Sequence, residues 1–219
     1  RWAVPFSVAC AENNMNFIAG LYWYWCRGEE FDYSRAVDQF GNKMDTQPSP
    51  VSEDWWREMM EAPAVYLANL SLFYPIWGVV WDTEDYSRSV GGVWVDFFQR
   101  GMYSFDDEAM EGYARDTGRT IPDLPLGRRR DWLRSNGLLE EFREWEANRT
   151  YQLAKRVADR VYEINPEFNL GLFPIEEDWW LLAILKGFST HKPVGAWTGA
   201  SSGADTYQGI SRGLAESLR

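Results

Sequence analysis

The chain has 219 residues, with 33 acidic against 22 basic side chains and a formal charge of −11. That balance argues against a nucleic-acid partner, because neutralising phosphates needs a surplus of Lys and Arg on some face. Apolar residues make up 45% and aromatics 16%, with 13 Trp, which excludes a disordered chain and suffices for the core of a single domain over residues 1–219.

In chain order, Ala3 to Ala9 is the first candidate strand. Leu21 to Cys26 is the second, since six bulky residues in a row suit a strand covered on both faces. A polar loop is expected from Arg27 to Gln47. Ser49 and Pro50 then stand where an N-cap and a first helical residue belong, with Glu53 and Asp54 in the first turn. Trp55, Met59, Tyr66, Leu70 and Phe73 recur at helical spacing as the buried stripe, and Pro63 should kink or split this helix. Ile76 to Asp82 reads as a buried strand that runs into Thr83-Glu84-Asp85-Tyr86. Ser104 with Asp107 opens a helix that Gly118 closes, and an excursion spans about residues 86–137. A long helix from Leu138 carries Phe142, Trp145, Leu153, Val157, Val161 and Ile164 on one face, and Asn165-Pro166 ends it. Phe168 to Pro174 is a strand, Asp178 to Phe188 a helix, Pro193 to Thr198 a strand and Thr206 to Leu218 a helix.

Strands alternating with helices are the signature of β/α units around a parallel sheet. A doubly wound sheet and a (β/α)8 barrel of the TIM type both fit. No Gly-rich phosphate loop follows any strand, so a dinucleotide fold is disfavoured and the barrel preferred. Four or five strands are visible and a full barrel takes about 250 residues, so a partial barrel is expected in this chain. Arg1 in place of Met points to a processed or partial product, and no stretch has the ~20 apolar residues of a membrane span.

Cys10 and Cys26 are too few for a disulfide framework and badly spaced for zinc, and two buried thiols are preferred to a bridge. The one histidine, His191, lacks a nucleophile elbow to complete a Ser/His/Asp triad. The sequons at Asn69 and Asn148 fall inside helical patterns and are read as chance matches. No cofactor is implied. Carboxylates offer the remaining chemistry: Asp82 and Glu84 stand two apart at a strand end and so share a side if the strand continues. Two acids in one site divide labour, since repulsion and burial raise one pKa while the other stays ionised. Glycosidic cleavage needs that division. A solvated loop or a helix cap is the plainer reading of the same acids.

The segment Trp77 to Glu84 resembles the fourth strand of (β/α)8-barrel glycoside hydrolases. In the chitinase-like family the pattern is D-G-x-D-x-D-x-E; Gly78, Asp82 and Glu84 match, while Trp77 and Val80 replace the first two acids. This resemblance implies Glu84 as general acid and Asp82 as the neighbour that orients a substrate group. The stretch is also similar to the W-x-D-x-x-E strand of retaining α-glycosidases, which would make Asp82 the nucleophile. Phe105 to Leu172, with Gly118 to Pro122 and Asn165-Pro166, is similar in style to a segment of bacterial barrel hydrolases. In the clan with paired glutamates the nucleophile lies on the seventh strand, placed beyond Arg219.

Aromatic rings stack on the C–H faces of sugars, and Tyr24, Trp25, Tyr86, Trp179, Trp180 and Trp197 lie near predicted strand ends. Substrate contacts are expected from Tyr24, Trp25, Tyr86, Glu176, Trp197, Asp205 and Tyr207, although acids at a helix start are also favoured by the helix dipole. The resulting expectation is a glycoside hydrolase with a carbohydrate substrate, leaning extracellular. The alternatives are a carbohydrate-binding or structural protein without chemistry, and a Mg²⁺- or Ca²⁺-dependent lyase or hydrolase using the carboxylates from Asp82 to Asp85.

Overall fold

The computed structural model describes residues 3–22, 33–83, 103–173 and 179–196. The N-terminal segment expected as a strand is a helix, α1 (Ala3–Glu12). Its apolar run lacks the alternation of a half-buried strand, and Pro5 lies in the first turn, where a missing N–H costs nothing. Asn14 closes α1 in the left-handed region (φ 56°), with the Met15 N–H bonded back to the Cys10 carbonyl and the Asn14 N–H to Ala11. Cys10 is a half-buried free thiol on this helix; Cys26 lies outside the described residues.

Strand β1 (Phe17–Tyr22) begins four residues before the expected strand, of which only Leu21 and Tyr22 are described. The presumed polar loop contains a hairpin of β2 (Arg35–Val37) and β3 (Lys43–Pro48). Its turn is built by Asp38, whose carboxylate accepts from the backbone N–H of Phe40 and of Asn42, each at 2.8 Å, and by Gly41 at φ 87°. An Asp three residues before a Gly is turn chemistry.

The next helix is built of α2 (Glu53–Trp55), a π segment (Trp56–Glu61) and α3 (Ala62–Ser71), with Pro63 at the start of α3. The wider π turn shifts the helical register, so the buried residues are Trp55, Trp56, Met60, Ala64, Leu67 and Ala68, whereas Tyr66 and Phe73 of the expected stripe are exposed. Trp55 and Trp56 are both fully buried and meet edge to face at 5.5 Å. The Trp56 indole N–H donates to the Pro50 carbonyl at 2.8 Å.

Strand β4 (Ile76–Asp82) has the bounds expected of it. α4 (Asp107–Thr117) is capped by Asp106, whose carboxylate accepts from the Ala109 N–H, and ends at Gly118 with φ 68°. The excursion contains a short helix, α5 (Arg129–Ser135), anchored by Arg129, whose buried guanidinium donates to the Phe105 and Leu124 carbonyls and pairs with Asp107. α6 (Leu139–Ile164), β5 (Asn169–Phe173), α7 (Trp179–Phe188) and β6 (Gly195–Ala196) follow.

The parallel sheet has the order β1-β4-β5-β6, and β2-β3 form a separate antiparallel pair. The (β/α)8 barrel is therefore not formed: among the described residues there are six strands in two small sheets, and the parallel sheet stops at β1 on one side and β6 on the other. Alternation specifies parallel crossover units but not their number or closure. Ala19, Val79, Trp81, Leu170 and Leu172 pack with Leu67, Leu153, Val157, Trp180, Ile184 and Phe188, so α3, α6 and α7 share one core with one face of the sheet. A smaller core joins Phe105, Tyr113, Leu133 and Phe142 between α4, α5 and α6. No helix among the described residues is long and apolar enough to cross a membrane.

Helices α6 and α7 approach closely at Gly187, where an added Cβ would lie 2.6 Å from the Ala154 Cβ, 2.7 Å from the Tyr151 carbonyl oxygen and 2.8 Å from the Lys155 nitrogen. Two of these are backbone atoms, which cannot yield as a side chain does. Gly187→Ala is therefore expected to cost about 1–3 kcal/mol by overpacking. A lowered urea midpoint checks this; unchanged stability would show that the helices part freely.

Candidate functional site

The candidate site lies at the C-terminal edge of the parallel sheet. β4 is paired on both sides, and its register sets Tyr22, Asp82 and Phe173 in one row across three strands. Strand alternation puts Asp82 on the face shared with Gly78 and Val80, opposite the buried Val79 and Trp81. Trp81 is fully buried against Phe188, with ring centroids 5.4 Å apart. The next residue, Thr83, is also buried and its hydroxyl donates to the Phe173 carbonyl at 2.6 Å. A bonded and buried strand end thus delivers Asp82, itself half-buried, to the sheet's edge.

Of the expected site residues, Asp82 is the one described. Glu84, Tyr24, Trp25, Tyr86, Glu176, Trp197, Asp205 and Tyr207 lie outside the described residues, as does Asp85. In sequence, Tyr24, Trp25, Glu84, Tyr86, Glu176 and Trp197 each follow the last residue of one of the four neighbouring strands by no more than four positions. Among the other aromatics expected near strand ends, Trp180 is buried core. Trp179 is half-buried and stacks on Tyr103, with centroids 4.5 Å apart and planes 5° apart. The Arg143 guanidinium lies 5.1 Å from the centre of the Tyr103 ring. His191 pairs with Asp159 at 2.7 Å, away from the sheet's C-terminal edge.

A cavity of about 490 Å³ opens on the sheet face that carries Ile18 and Val80, bounded also by Trp77, Asn169, Gly171 and Gly195. Its lining is apolar apart from Asn169, whose amide nitrogen donates to the Trp77 carbonyl at 2.9 Å. Asp82 is not part of this lining. No group of three or more His, Cys, Asp or Glu side chains among the described residues is arranged to hold a metal.

One carboxyl escapes the sequence reading. Glu146 on α6 is completely buried; its Oε1 accepts from the Ser104 N–H at 3.0 Å and its Oε2 has no hydrogen-bond partner among the described residues. Burial pushes its pKa well above the usual glutamate value, and the nearby Asp106 charge adds to this; the Ser104 N–H and the Arg143 charge pull the other way. A signal was present: Glu146 and Thr150 fall on the stripe that Phe142, Leu153 and Val157 define, so polar side chains occupy core positions.

Comparison with protein-family models, with curated proteins and with solved structures finds no match to this chain. The reading of the site therefore rests on its own geometry. If Thr83 fixes the edge, Thr83→Val, which keeps the shape but removes the hydroxyl bond to the Phe173 carbonyl, should cost about 0.5–1.5 kcal/mol. Urea unfolding with an unchanged m-value would show the loss; equal stability would mean that the strand end is held by other contacts.

Proposed function

We propose that this chain is a glycoside hydrolase that cleaves its substrate with carboxylates at the C-terminal edge of the parallel sheet. The observation supporting it is the position of Asp82: half-buried, at the end of the central strand, in one row with the ends of β1 and β5. In open parallel sheets ligands bind outside the carboxyl ends of the strands. Glu84, two residues further along, is the general acid that protonates the departing glycosidic oxygen. Asp82 is the second carboxylate, acting as the nucleophile or holding the cationic sugar ring by its charge. The partial burial of Asp82 supports this role, because removing water strengthens the interaction with developing charge. In this reading Tyr24, Trp25, Tyr86, Glu176, Trp197, Asp205 and Tyr207 supply stacking surfaces and hydrogen-bond partners for a carbohydrate.

One observation favours a second reading, a carbohydrate-binding protein without chemistry. The Trp77 side chain, 49% exposed, borders the apolar cavity together with Asn169, and Asp82 takes no part in that lining. An indole face beside an amide suits a sugar ring as well as a carboxylate pair does.

Turnover of a panel of activated aryl glycosides separates the two. Glu84→Gln and Asp82→Asn are each expected to lower kcat by about 10²–10⁴-fold, the range for losing a positioned acid or base, with the circular dichroism of the fold unchanged. Turnover equal to wild type in both variants would remove the acids from the mechanism. Glycan binding measured by calorimetry without any hydrolysis would favour the second reading.

A further inference from the structure

Residues 103–106 are the crossing point of three elements. The Phe105 N–H donates to the Val37 carbonyl at 2.9 Å, and the Val37 N–H donates to the Ser104 hydroxyl oxygen at 3.0 Å, which ties the segment to strand β2. The Ser104 hydroxyl donates in turn to Asp106, which also accepts from the Ser34 hydroxyl and from the Ala109 N–H that opens α4. The third element is α6, and the bond to it runs from the Ser104 N–H to the Glu146 carboxyl, inside the protein and out of contact with water.

The geometry points to Glu146 as a proton-dependent latch: while its carboxyl is neutral it stays buried beneath residues 103–106, and when it ionises the cost of an unsolvated charge exceeds the stronger bond a carboxylate accepts from Ser104, so the segment parts from α6 and lets water in. One oxygen accepts the Ser104 N–H and the other has no donor among the described residues, so these residues offer a negative charge there a single hydrogen bond in a buried site. The charged groups acting on it are Asp106, from the segment before α4, and Arg143, one turn earlier on α6. Asp106 repels the charged form. Arg143 favours it; one guanidinium nitrogen is paired with Glu140 at 2.8 Å and the group lies over the Tyr103 ring, while its buried Nε has no partner among the described residues. From strand β2 and the residue before it, the Val37 N–H and the Ser34 hydroxyl reach this cluster, both bonded to other members of it. The proton therefore belongs on Oε2, leaving Oε1 as the acceptor. Tyr103, adjacent to Ser104, stacks on Trp179 at the start of α7, so the latch also reaches the helix that follows β5. None of this depends on the glycosidase reading.

The sign follows from proton linkage. The folded protein holds this proton more tightly than the unfolded chain, so the contribution is full below the ordinary glutamate pKa, declines as pH rises through the window up to the folded value, and is lost above it. The test is urea unfolding of the full chain over a pH series that starts near the ordinary glutamate value, about pH 4, and rises as far as the fold persists, with Glu146→Gln beside the wild type. Across that window the wild-type unfolding constant should rise about tenfold per pH unit relative to the variant. Amide-exchange protection of Ser104 and Val37 should fall in the wild type at the alkaline end and persist in the variant. Parallel pH profiles for the two proteins would overturn the latch. If the variant fails to fold, the titration of the Glu146 carboxyl ¹³C resonance in the wild type decides: a midpoint raised above the ordinary glutamate value supports the latch, and an ordinary midpoint overturns it.

Discussion

The structure depends on burying one face of strand β4. Val79 and Trp81 face the core shared by α3, α6 and α7, and each such large apolar side chain contributes about 1.5–3 kcal/mol when fully taken from water. A strand paired on both sides and covered on one has its direction and register fixed, since a slip of one residue would turn Trp81 outward. With the register fixed, the end of the strand is fixed too. Asp82 emerges beside the ends of β1 and β5, where the Thr83 hydroxyl bond to the Phe173 carbonyl holds two neighbouring strand ends together.

The helical layer meets this requirement by departing from regular geometry where packing demands it. Two adjacent tryptophans, Trp55 and Trp56, are both fully buried, and they stand where the regular helix passes into a π segment that changes its register against the core. Along its outer side Glu53 pairs with Arg149 and Arg156, and Glu61 with Arg156 and Arg160, so the same segment is joined to α6 by partly exposed ion pairs. α6 also carries Glu146 and Thr150 into the core, where the Thr150 hydroxyl meets the Pro50 carbonyl at 3.4 Å. Helix α6 is thus a packing partner of the sheet and the post to which the 103–106 segment and α7 are attached, and the hairpin is tied to it through that segment.

Much of this order is legible in the residues. β4 could be read from an unbroken apolar run between Tyr74-Pro75 and an acidic cluster, and α6 from a stripe sustained over seven turns and stopped by Asn165-Pro166. What the sequence did not reveal has physical causes. The apolar segment after Arg1 has no period that separates strand from helix, and the Schellman cap at Asn14 uses a residue less diagnostic than Gly. The Trp55 stripe was misplaced because a 3.6-residue period fails across a π turn. The preference for a barrel rests on alternation and on the lack of a Gly-rich phosphate loop, neither of which carries information on closure. The place of Asp82 at a strand end was legible from the apolar run before it, whereas the only mark of the buried Glu146 is its position on the stripe of Phe142, Leu153 and Val157.

The acids at and after the end of β4 are proposed to face a bound sugar. An affinity label tests this most directly: a set of epoxyalkyl glycosides of differing sugar configuration, followed by peptide mapping of the alkylated carboxylate. The account predicts esterification on Asp82 or Glu84, suppressed by competing free glycan. Labelling confined to other carboxylates, or labelling at these two that free glycan does not suppress, would contradict it.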